Sequence, residues 1–367
     1  MVTVYESLDK LEEFMRLAFV TAGVPAADAA ICAAVLIESD KRGIDSHGVG
    51  RLKPIYLDRI KAGIQNPITT FEIVRQTPTT AVIDGHDGMG HVIGVRSMDI
   101  AIEKAKKSGM SMVVVRNSTH YGIAGYYALM AAKHDMICFT GTNARPSIAP
   151  TFGSENMLGT NPLTIGFPTD EEFPFLIDCA TSVTQRGKIE HYARINKQMP
   201  DGWVTDESGN SVKDPQAALD GLDSDTYALL PLGGAGEELG GYKGYGYATV
   251  VETLSAALQA GTFLKALKGI GTNGERLPYH LGHFFIAIDI NAFIEPSDFK
   301  KTAGDILREL RASRKAVGQE RIYTAGEKEY LAWLERKEKG VPLGEAVVKT
   351  LVSVRDEYKI DFQFAWE

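Results

Sequence analysis

Two kinds of hydrophobic spacing divide this chain. Leu8, Leu11, Phe14, Met15 and Leu17 recur at helical spacing over 7–22, and Gly23 and Pro25 stop the pattern. An alanine-rich stretch over 26–41 reads as a second helix closed by Gly43, and 49–62 as a third ending at Gly63. The first seventy residues therefore predict a small helical unit. The character then changes. "TTAVIDG" is strand-like, 92–107 is helical, "MSMVVVRN" has the continuous apolar run of a buried strand, and 123–134 is helical again. "MICFTGTN", "NPLTIGFP" and "FPFLIDCA" are further strands and "HFFIAIDI" a later one, with a helix over 246–260 before it. Strands and helices here are mixed rather than cleanly alternating, which predicts an α/β (α+β) body. Beyond 298 the chain turns helical and highly charged, through "EKEYLAWLERKEKG". It shows no internal repeat and no low-complexity linker.

Composition narrows the classes. At 367 residues the chain exceeds what a single core usually organises, so roughly two domains are expected. With 44% hydrophobic and 23% charged residues it reads as globular, and a net charge of −8 argues against nucleic acid as a partner. No segment reaches the ~18 apolar residues of a membrane span, and "MVTVYESLDK" lacks a signal-peptide pattern. Cys32, Cys138 and Cys179 lie in apolar segments without metal-ligand spacing, which predicts three buried thiols in a reducing, cytoplasmic setting.

Candidate chemistry begins with glycines. In "IDGHDGMGHVIG", Gly88, Gly90 and Gly94 follow a strand and open a helix, a variant of the dinucleotide fingerprint, and Arg116 at the end of the next strand could suit a 2′-phosphate. Glycine-rich turns also join strand to helix where no nucleotide binds. "GGAGEELGGYKGYG" lacks the Gly-Lys-Ser/Thr of a phosphate loop but offers backbone contact and Lys243 as a cation. His280 and His283 sit three apart with no cysteine or carboxylate cluster nearby, so no metal site is expected. His86, His91, His134 and His191 read as surface or helix-end residues.

His47 and His120 differ. His120 lies just past a buried strand in "RNSTHYGIAG", where α/β proteins hold ligands. His47 follows Asp45-Ser46, a good cap pair; a helix starting there would project His47 and Arg51 from one face. Reduction of a 2-oxo acid needs a proton for the alkoxide formed at C2, which histidine can exchange near neutral pH. The substrate carboxylate needs a planar cationic clamp, which is arginine's strength. "RGIDSHGVGRL" therefore reads as one wall of an oxo-acid pocket.

Eight motifs in order carry a resemblance: "DSHGVGRL", "RNSTHYGIAGY", "LGTNPL", "LIDCATSVTQRGKI", "DGWVTDESGN", "LLPLGG", "GGYKGYGYA" and "GHFFIAID". Nearly end to end, the chain resembles the second, non-Rossmann family of malate/L-lactate dehydrogenases, which includes sulfolactate, ureidoglycolate and diketogulonate oxidoreductases. The resemblance implies a cytoplasmic homodimer that interconverts 2-hydroxy and 2-oxo acids with NAD or NADP, NAD being favoured and malate/oxaloacetate the favoured pair. It implies a helical domain from both chain ends (1–72 plus 300–367) on a mixed-sheet nicotinamide-binding domain (73–299), and it sets aside the glycines at 88–94. By resemblance, His120, His47, Ser46 and Lys188 are catalytic, and Arg51, Tyr56, Thr160 and Asn161 meet substrate. The cofactor falls to His120, Tyr121, Gly122, Asn143, Asp178, Ala180, Thr181, Ser182, Lys243, His280, Leu281, Gly282, Gly326 and Glu327.

Two positions depart from the family pattern. Gln185-Arg186 stand where small residues are usual, and Ala325 replaces the proline before Gly326-Glu327. The competing readings are the same scaffold acting on lactate, sulfolactate, ureidoglycolate or a cyclic imino acid, a non-catalytic binding protein, and a metal-dependent hydrolase. The joint presence of His47, Arg51, His120, Lys188 and Lys243 argues against a lapsed enzyme. For the proton, the expectation is His120, because a helix N-terminus at His47 would disfavour its imidazolium.

Overall fold

The computed structural model describes residues 3–367. Its strands are β1 (Val4–Glu6), β2 (Glu72–Gln76), β3 (Thr80–Asp84), β4 (Met110–Ser118), β5 (Met136–Thr142), β6 (Leu163–Phe167), β7 (Phe175–Cys179), β8 (Val204–Thr205), β9 (Ala228–Leu229), β10 (Leu281–Asp289) and β11 (Val341–Leu343). The helices are α1 (Leu8–Thr21), α2 (Ala26–Lys41), α3 (Asp58–Lys61), α4 (Gly90–Ser108), α5 (Gly125–Ala132) and α6 (Arg186–Arg194). They continue with α7 (Pro215–Asp223), α8 (Gly241–Ala256), α9 (Pro296–Ala312), α10 (Glu327–Lys339) and α11 (Glu345–Glu357).

Seven strands form one mixed sheet in the order β2-β3-β4-β10-β5-β6-β7. Only β3 and β4 are parallel, joined by the crossover helix α4; every other neighbour is antiparallel. The late strand β10 inserts between β4 and β5, and its first five residues are buried. That explains why "HFFIAIDI" is a continuous apolar run: a central strand is covered on both faces.

The register decides where chemistry collects. Leu281 faces Ser118, His283 faces Thr142, Leu163 faces Gly141, and Cys179 faces Leu163. The end of β4, the start of β10, the end of β5, the start of β6 and the end of β7 therefore lie along one edge. Segments 119–122, 143–145, 160–161, 178–182 and 279–282, far apart in sequence, emerge side by side.

One apolar cluster joins the two ends of the chain: Leu11, Phe14, Met15, Leu36, Ile37 and Tyr56 pack with Leu351, Val354 and Phe364, and β1 pairs with β11. Helix α9 instead reaches the sheet, with Phe299 edge-on to Phe167 and Arg308 bonded to Asp170. A separate cluster unites Ile148, Ile189, Trp203, Leu219 and Ala248 around α6 and α7.

Several expectations need correction. The segment 49–62 is not one α-helix: Val49–Arg51 is a 3₁₀ turn, Leu52–Leu57 widens to π spacing, and only Asp58–Lys61 is α-helical. Pro54 has no N–H and its ring excludes a normal turn, so the ladder opens around it. No helix begins at Asp45-Ser46. Instead the buried Asp40 carboxylate accepts from the Val49 N–H at 2.7 Å, and Asp45 pairs with Arg336. The helix expected over 246–260 starts at Gly241, because "GGYKGYG" is itself the first helical turns, and the helix of 123–134 spans only Gly125–Ala132. Short β1, β2, β8, β9 and β11 and helices α6 and α7 carry too little periodicity to be seen in sequence. Cys32 and Cys138 are buried, but Cys179 is exposed on the edge strand β7.

Candidate active site

A cleft of about 600 Å³ opens at this sheet edge, lined by Ser46, His47, Arg51, Arg59, His120 and Arg145, with Thr160, Arg186, Lys268 and Leu281 among its other walls. Ser46, His47 and Arg51 come from the irregular turn after α2, where the Ser46 carbonyl accepts from Arg51 Nε and fixes the guanidinium. Ser46 Oγ lies 2.9 Å from His47 Nδ1. Tight packing of Gly48 on the Asp40 carboxylate, which a Cβ would overlap, sets the path of this turn.

His120 follows β4. Its Nδ1 meets the Tyr56 hydroxyl at 2.6 Å and the Gly122 N–H at 3.3 Å. A backbone N–H can only donate, so Nδ1 is the acceptor and the hydrogen of the neutral ring sits on Nε2. The His47 and His120 rings stack with centroids 5.7 Å apart. Burial and the adjacent Arg51 push His47 down to about 4. Burial, then His47, Arg59, His91 and Arg51, hold His120 well below the usual histidine range. Tyr56 is fully buried, and loss of hydration raises its phenol.

The charges in the cleft fall into two sets. Arg186 donates to Asp223 at 3.0 Å and to Glu190 at 3.0 Å, and Lys268 pairs with Asp225. The unusual Arg186 thus reaches the wall already neutralised. Arg51, Arg59 and Arg145 form no direct ion pair with a carboxylate among the described residues; Arg59 lies 4.5 Å over the Tyr279 ring. Three guanidinium groups without a direct ion pair therefore stand beside two neutral imidazoles, with Asp223 and Asp225 on the same wall near Arg145.

Other residues of the resemblance form the scaffold around this edge. Asn161 is fully buried: its Nδ2 donates to the Ala248 carbonyl and to Glu252, and its Oδ1 accepts from the Ala144 N–H. Asn143 Oδ1 accepts from the Gly282 N–H, and Thr181 donates to the Thr160 and Asn161 carbonyls. Asp178 caps the Gly125 N–H at 2.7 Å and accepts from Thr164 at 2.8 Å. Tyr121 stacks on His283 at 4.3 Å, and Ala180 lies half-buried after β7. Ser182 and Thr184 hold buried hydroxyls without a hydrogen-bond partner among the described residues. Glu252, which anchors Asn161 and the Leu264 N–H, carried no motif to announce it.

Three residues stand outside the cleft. Lys188, on α6, is exposed with its ammonium 4.8 Å over the Trp203 ring. Lys243 is exposed in the first turn of α8. Glu327 is buried and spent on its own loop, accepting from the Thr324 N–H and pairing with Arg321, while Gly326, at φ +90°, lies against Pro174 and Leu176 at the sheet edge. His280 bonds Asp87 at 2.8 Å, which raises its pKa, and His283 sits between Thr142 and Ser118 hydroxyls. Neither arrangement is a metal cluster. Arg116, the candidate for a 2′-phosphate, is held by Asp84 at 2.8 Å. Gly94 packs under the Tyr127 ring, where a Cβ would lie 2.6 Å from it, so this glycine serves helix packing. His86, His134 and His191 are exposed as expected; His91 is completely buried, because it enters α4 on the face turned to Tyr56 and Phe19.

The mixed-sheet fold is shared with known proteins. The family model described as Malate/L-lactate dehydrogenase matches residues 7–352, and this chain belongs to that family. It is 44% identical to malate dehydrogenase of Pyrococcus horikoshii over 94% of this chain and 92% of that protein. It is 38% identical to L-sulfolactate dehydrogenase of Methanocaldococcus jannaschii over 93% of each. The crystal structure of malate dehydrogenase from Entamoeba histolytica superposes with a TM-score of 0.95 at 43% identity, covering 99% of this chain and 100% of that one.

Proposed function

We propose that this protein is a nicotinamide-dependent dehydrogenase that interconverts malate and oxaloacetate. The observation that carries the reading is a set of cations without a direct ion pair: Arg51, Arg59 and Arg145 line one cleft with His47 and His120. A monocarboxylate such as lactate would neutralise one of them; a dicarboxylate suits them better. Malate dehydrogenases among the relatives support the same substrate. A sulfonate, tetrahedral at sulfur, is also a singly charged oxyanion that a guanidinium can bind, so sulfolactate, the substrate named for the M. jannaschii relative, is the second reading.

Arg51 grips the C1 carboxylate in two-point fashion beside His47. In reduction His120 takes up a proton when the substrate anions bind and gives the one on Nε2, the ring nitrogen with no protein partner among the described residues, to the C2 oxygen; the neutral ring then keeps its hydrogen on Nδ1 with the Tyr56 hydroxyl turned to accept it, and oxidation runs the same transfer in reverse. Ser46 orients His47. The buried, unpartnered hydroxyls of Ser182 and Thr184 at this edge suit a polyhydroxyl, phosphate-bearing ligand. Tyr121, Gly122, Asp178, Ala180, Thr181 and Ser182 would hold the nicotinamide cofactor, which supplies or accepts the hydride at C2. We read NAD rather than NADP, the cofactor that the family resemblance favours.

We further read 1–72 plus 300–367 and 73–299 as two domains, the setting as cytoplasmic, and the assembly as a homodimer. Two buried free thiols support the second, and exposed Leu239, Tyr247, Val250, Leu258 and Phe263 around α8 support the third. No helix among the described residues is long and apolar enough to cross a membrane. The test is a 340 nm assay with oxaloacetate, pyruvate, sulfopyruvate and a cyclic imine, each with NADH and NADPH. Fastest turnover of oxaloacetate with NADH is the expected result; preference for pyruvate or the imine would overturn the dicarboxylate reading.

A further inference from the structure

Arg59 is held in the cleft by a different kind of contact from the paired cations on its wall. Arg186 spends donors on Asp223 and Glu190, and Lys268 pairs with Asp225. Arg59 instead lies with its guanidinium carbon 4.5 Å over the Tyr279 ring. A carboxylate partner takes up N–H donors and cancels charge. An aromatic face attracts the cation yet leaves its net charge and its in-plane N–H groups for a ligand anion.

The loop over 269–280 is shaped to fix that ring. It closes as a narrow hairpin: the Leu277 N–H donates to the Gly269 carbonyl at 3.0 Å, the Gly271 N–H to the Glu275 carbonyl at 2.8 Å, and Ile270 bridges Arg276. Gly269, at φ +65°, lies against the ring edge, where a Cβ would sit 2.9 Å from Tyr279 Cε1. The next residue, His280, has φ +51° and is tied to Asp87 at 2.8 Å. Arg145 and Arg276 stand near Arg59 and repel it, and the fixed aromatic face opposes that repulsion.

We propose that Tyr279 is a positioning residue that sets specificity for dicarboxylates: its ring, lying under Arg59, presents the uncommitted guanidinium to the second carboxylate of the substrate. The inference rests on the dicarboxylate reading of the cleft. It goes beyond that reading by placing selectivity in the 269–280 loop, through a ring that acts on the arginine. Arg51, on a separate turn, grips the carboxylate that every 2-oxo acid carries. Loss of the Tyr279 ring is therefore felt only by substrates with a second anion.

In Tyr279→Leu, assayed with NADH, KM for oxaloacetate should rise about fivefold, the size of a partly desolvated cation–π contact. Its kcat, and both constants for pyruvate, should stay within about twofold of the unsubstituted enzyme. Tyr279→Phe keeps the ring and should restore all values to within about twofold. In an Arg59→Gln background, Tyr279→Leu should cost less than about twofold, the mark of an effect that runs through the arginine. An unchanged KM in Tyr279→Leu, a Phe variant as impaired as Leu, equal losses on both substrates, or full additivity with Arg59→Gln overturns the proposal while leaving the dicarboxylate reading in place. An unsubstituted enzyme that prefers pyruvate, or an Arg59→Gln variant that keeps its full preference for oxaloacetate, overturns the underlying reading and the proposal with it. Should Tyr279→Leu fold poorly, NMR of the unsubstituted protein with labelled arginines decides the matter. The Arg59 Nε–H signal, assigned by its loss in Arg59→Gln, must carry the upfield ring-current shift of a proton over an aromatic face and must move when malonate is added. A signal at the ordinary position sinks the proposal.

Discussion

The rings of His47 and His120 stack with their planes 20° apart and centroids at 5.7 Å, and both belong to a cleft rich in arginine. Two imidazoles at that spacing cannot both carry charge cheaply, and each is already held neutral by burial and nearby cations. Both rings of the resting enzyme are therefore neutral. For reduction, the proton must be acquired when substrate binds.

That asymmetry sets the pH dependence of the oxidative direction. Malate oxidation needs neutral His120, whose pKa is lowered, so kcat/KM should stay level as pH falls past the ordinary histidine value near 6.5 and decline only below it. A midpoint at or above pH 7 in the free enzyme would contradict this.

Substrate anions should in turn raise the pKa of His120, because two carboxylates cancel the field of Arg51 and Arg59. Binding of oxaloacetate to the enzyme–NADH complex should take up protons at pH 7. Calorimetry in buffers of different ionisation enthalpy measures this directly, and a buffer-independent enthalpy would refute it.

Arg51→Lys keeps the charge but loses the two-point grip. We expect KM for oxaloacetate to rise and kcat/KM to fall about ten- to a hundredfold, equivalent to about 1.5–3 kcal/mol, with NADH affinity unchanged by fluorescence titration. Arg145→Gln and Arg59→Gln should separate substrates instead. Activity on oxaloacetate should drop at least about tenfold while activity on pyruvate moves less than about threefold. Equal losses on both substrates would remove these arginines from recognition of the second carboxylate.

His120→Asn should lower kcat by roughly 10²–10⁴ with NADH still binding, and His47→Asn should cost less. The reverse order would hand the proton to His47. The reason for favouring His120 is geometric: it alone has a phenol and a backbone N–H fixed on its second nitrogen. A helix N-terminus at His47, the expectation from sequence, does not exist.

Asp40 supplies a stability test. Burial pushes its carboxyl up to about 7, against the lowering effect of the Val49 N–H and Arg336. Unfolded, it titrates near 4, so the native state holds more protons between about pH 4 and 7. Its contribution is fully present below that window and is lost as pH rises through 7. Asp40→Asn should flatten this loss, so that its melting temperature falls less than wild type's between pH 5 and 8. An unchanged slope would show that Asp40 does not titrate there.

Local chemistry was legible because its signals are local. Apolar runs identified β4, β5 and β10, helical spacing identified α1 and α2, and short motifs marked His47, Arg51, His120 and Thr160 as cleft residues. Arg59 and Arg145 sit outside any chemical motif, and only the bend at Pro54 and the end of β5 turn them to the cleft. Asn161 and Glu327 carry motif status, yet their polar atoms are spent on Ala144, Glu252, Arg321 and Thr324.

The sequence by itself determined the long, strongly patterned elements such as α1, α2, β4, β5 and β10 and which side chains could bear charge, because both follow from neighbours a few residues apart. Tertiary structure alone decided which of those side chains meet. Inserting β10 between β4 and β5 brings residues 120, 144, 160 and 281 to one edge, a consequence of hydrogen-bond register between strand residues up to 178 apart. Burial was decided in the same way. His91 reads as an ordinary polar residue at a helix start, and only the packing of that helix on Phe19, Tyr56 and Gly122 removes it from water.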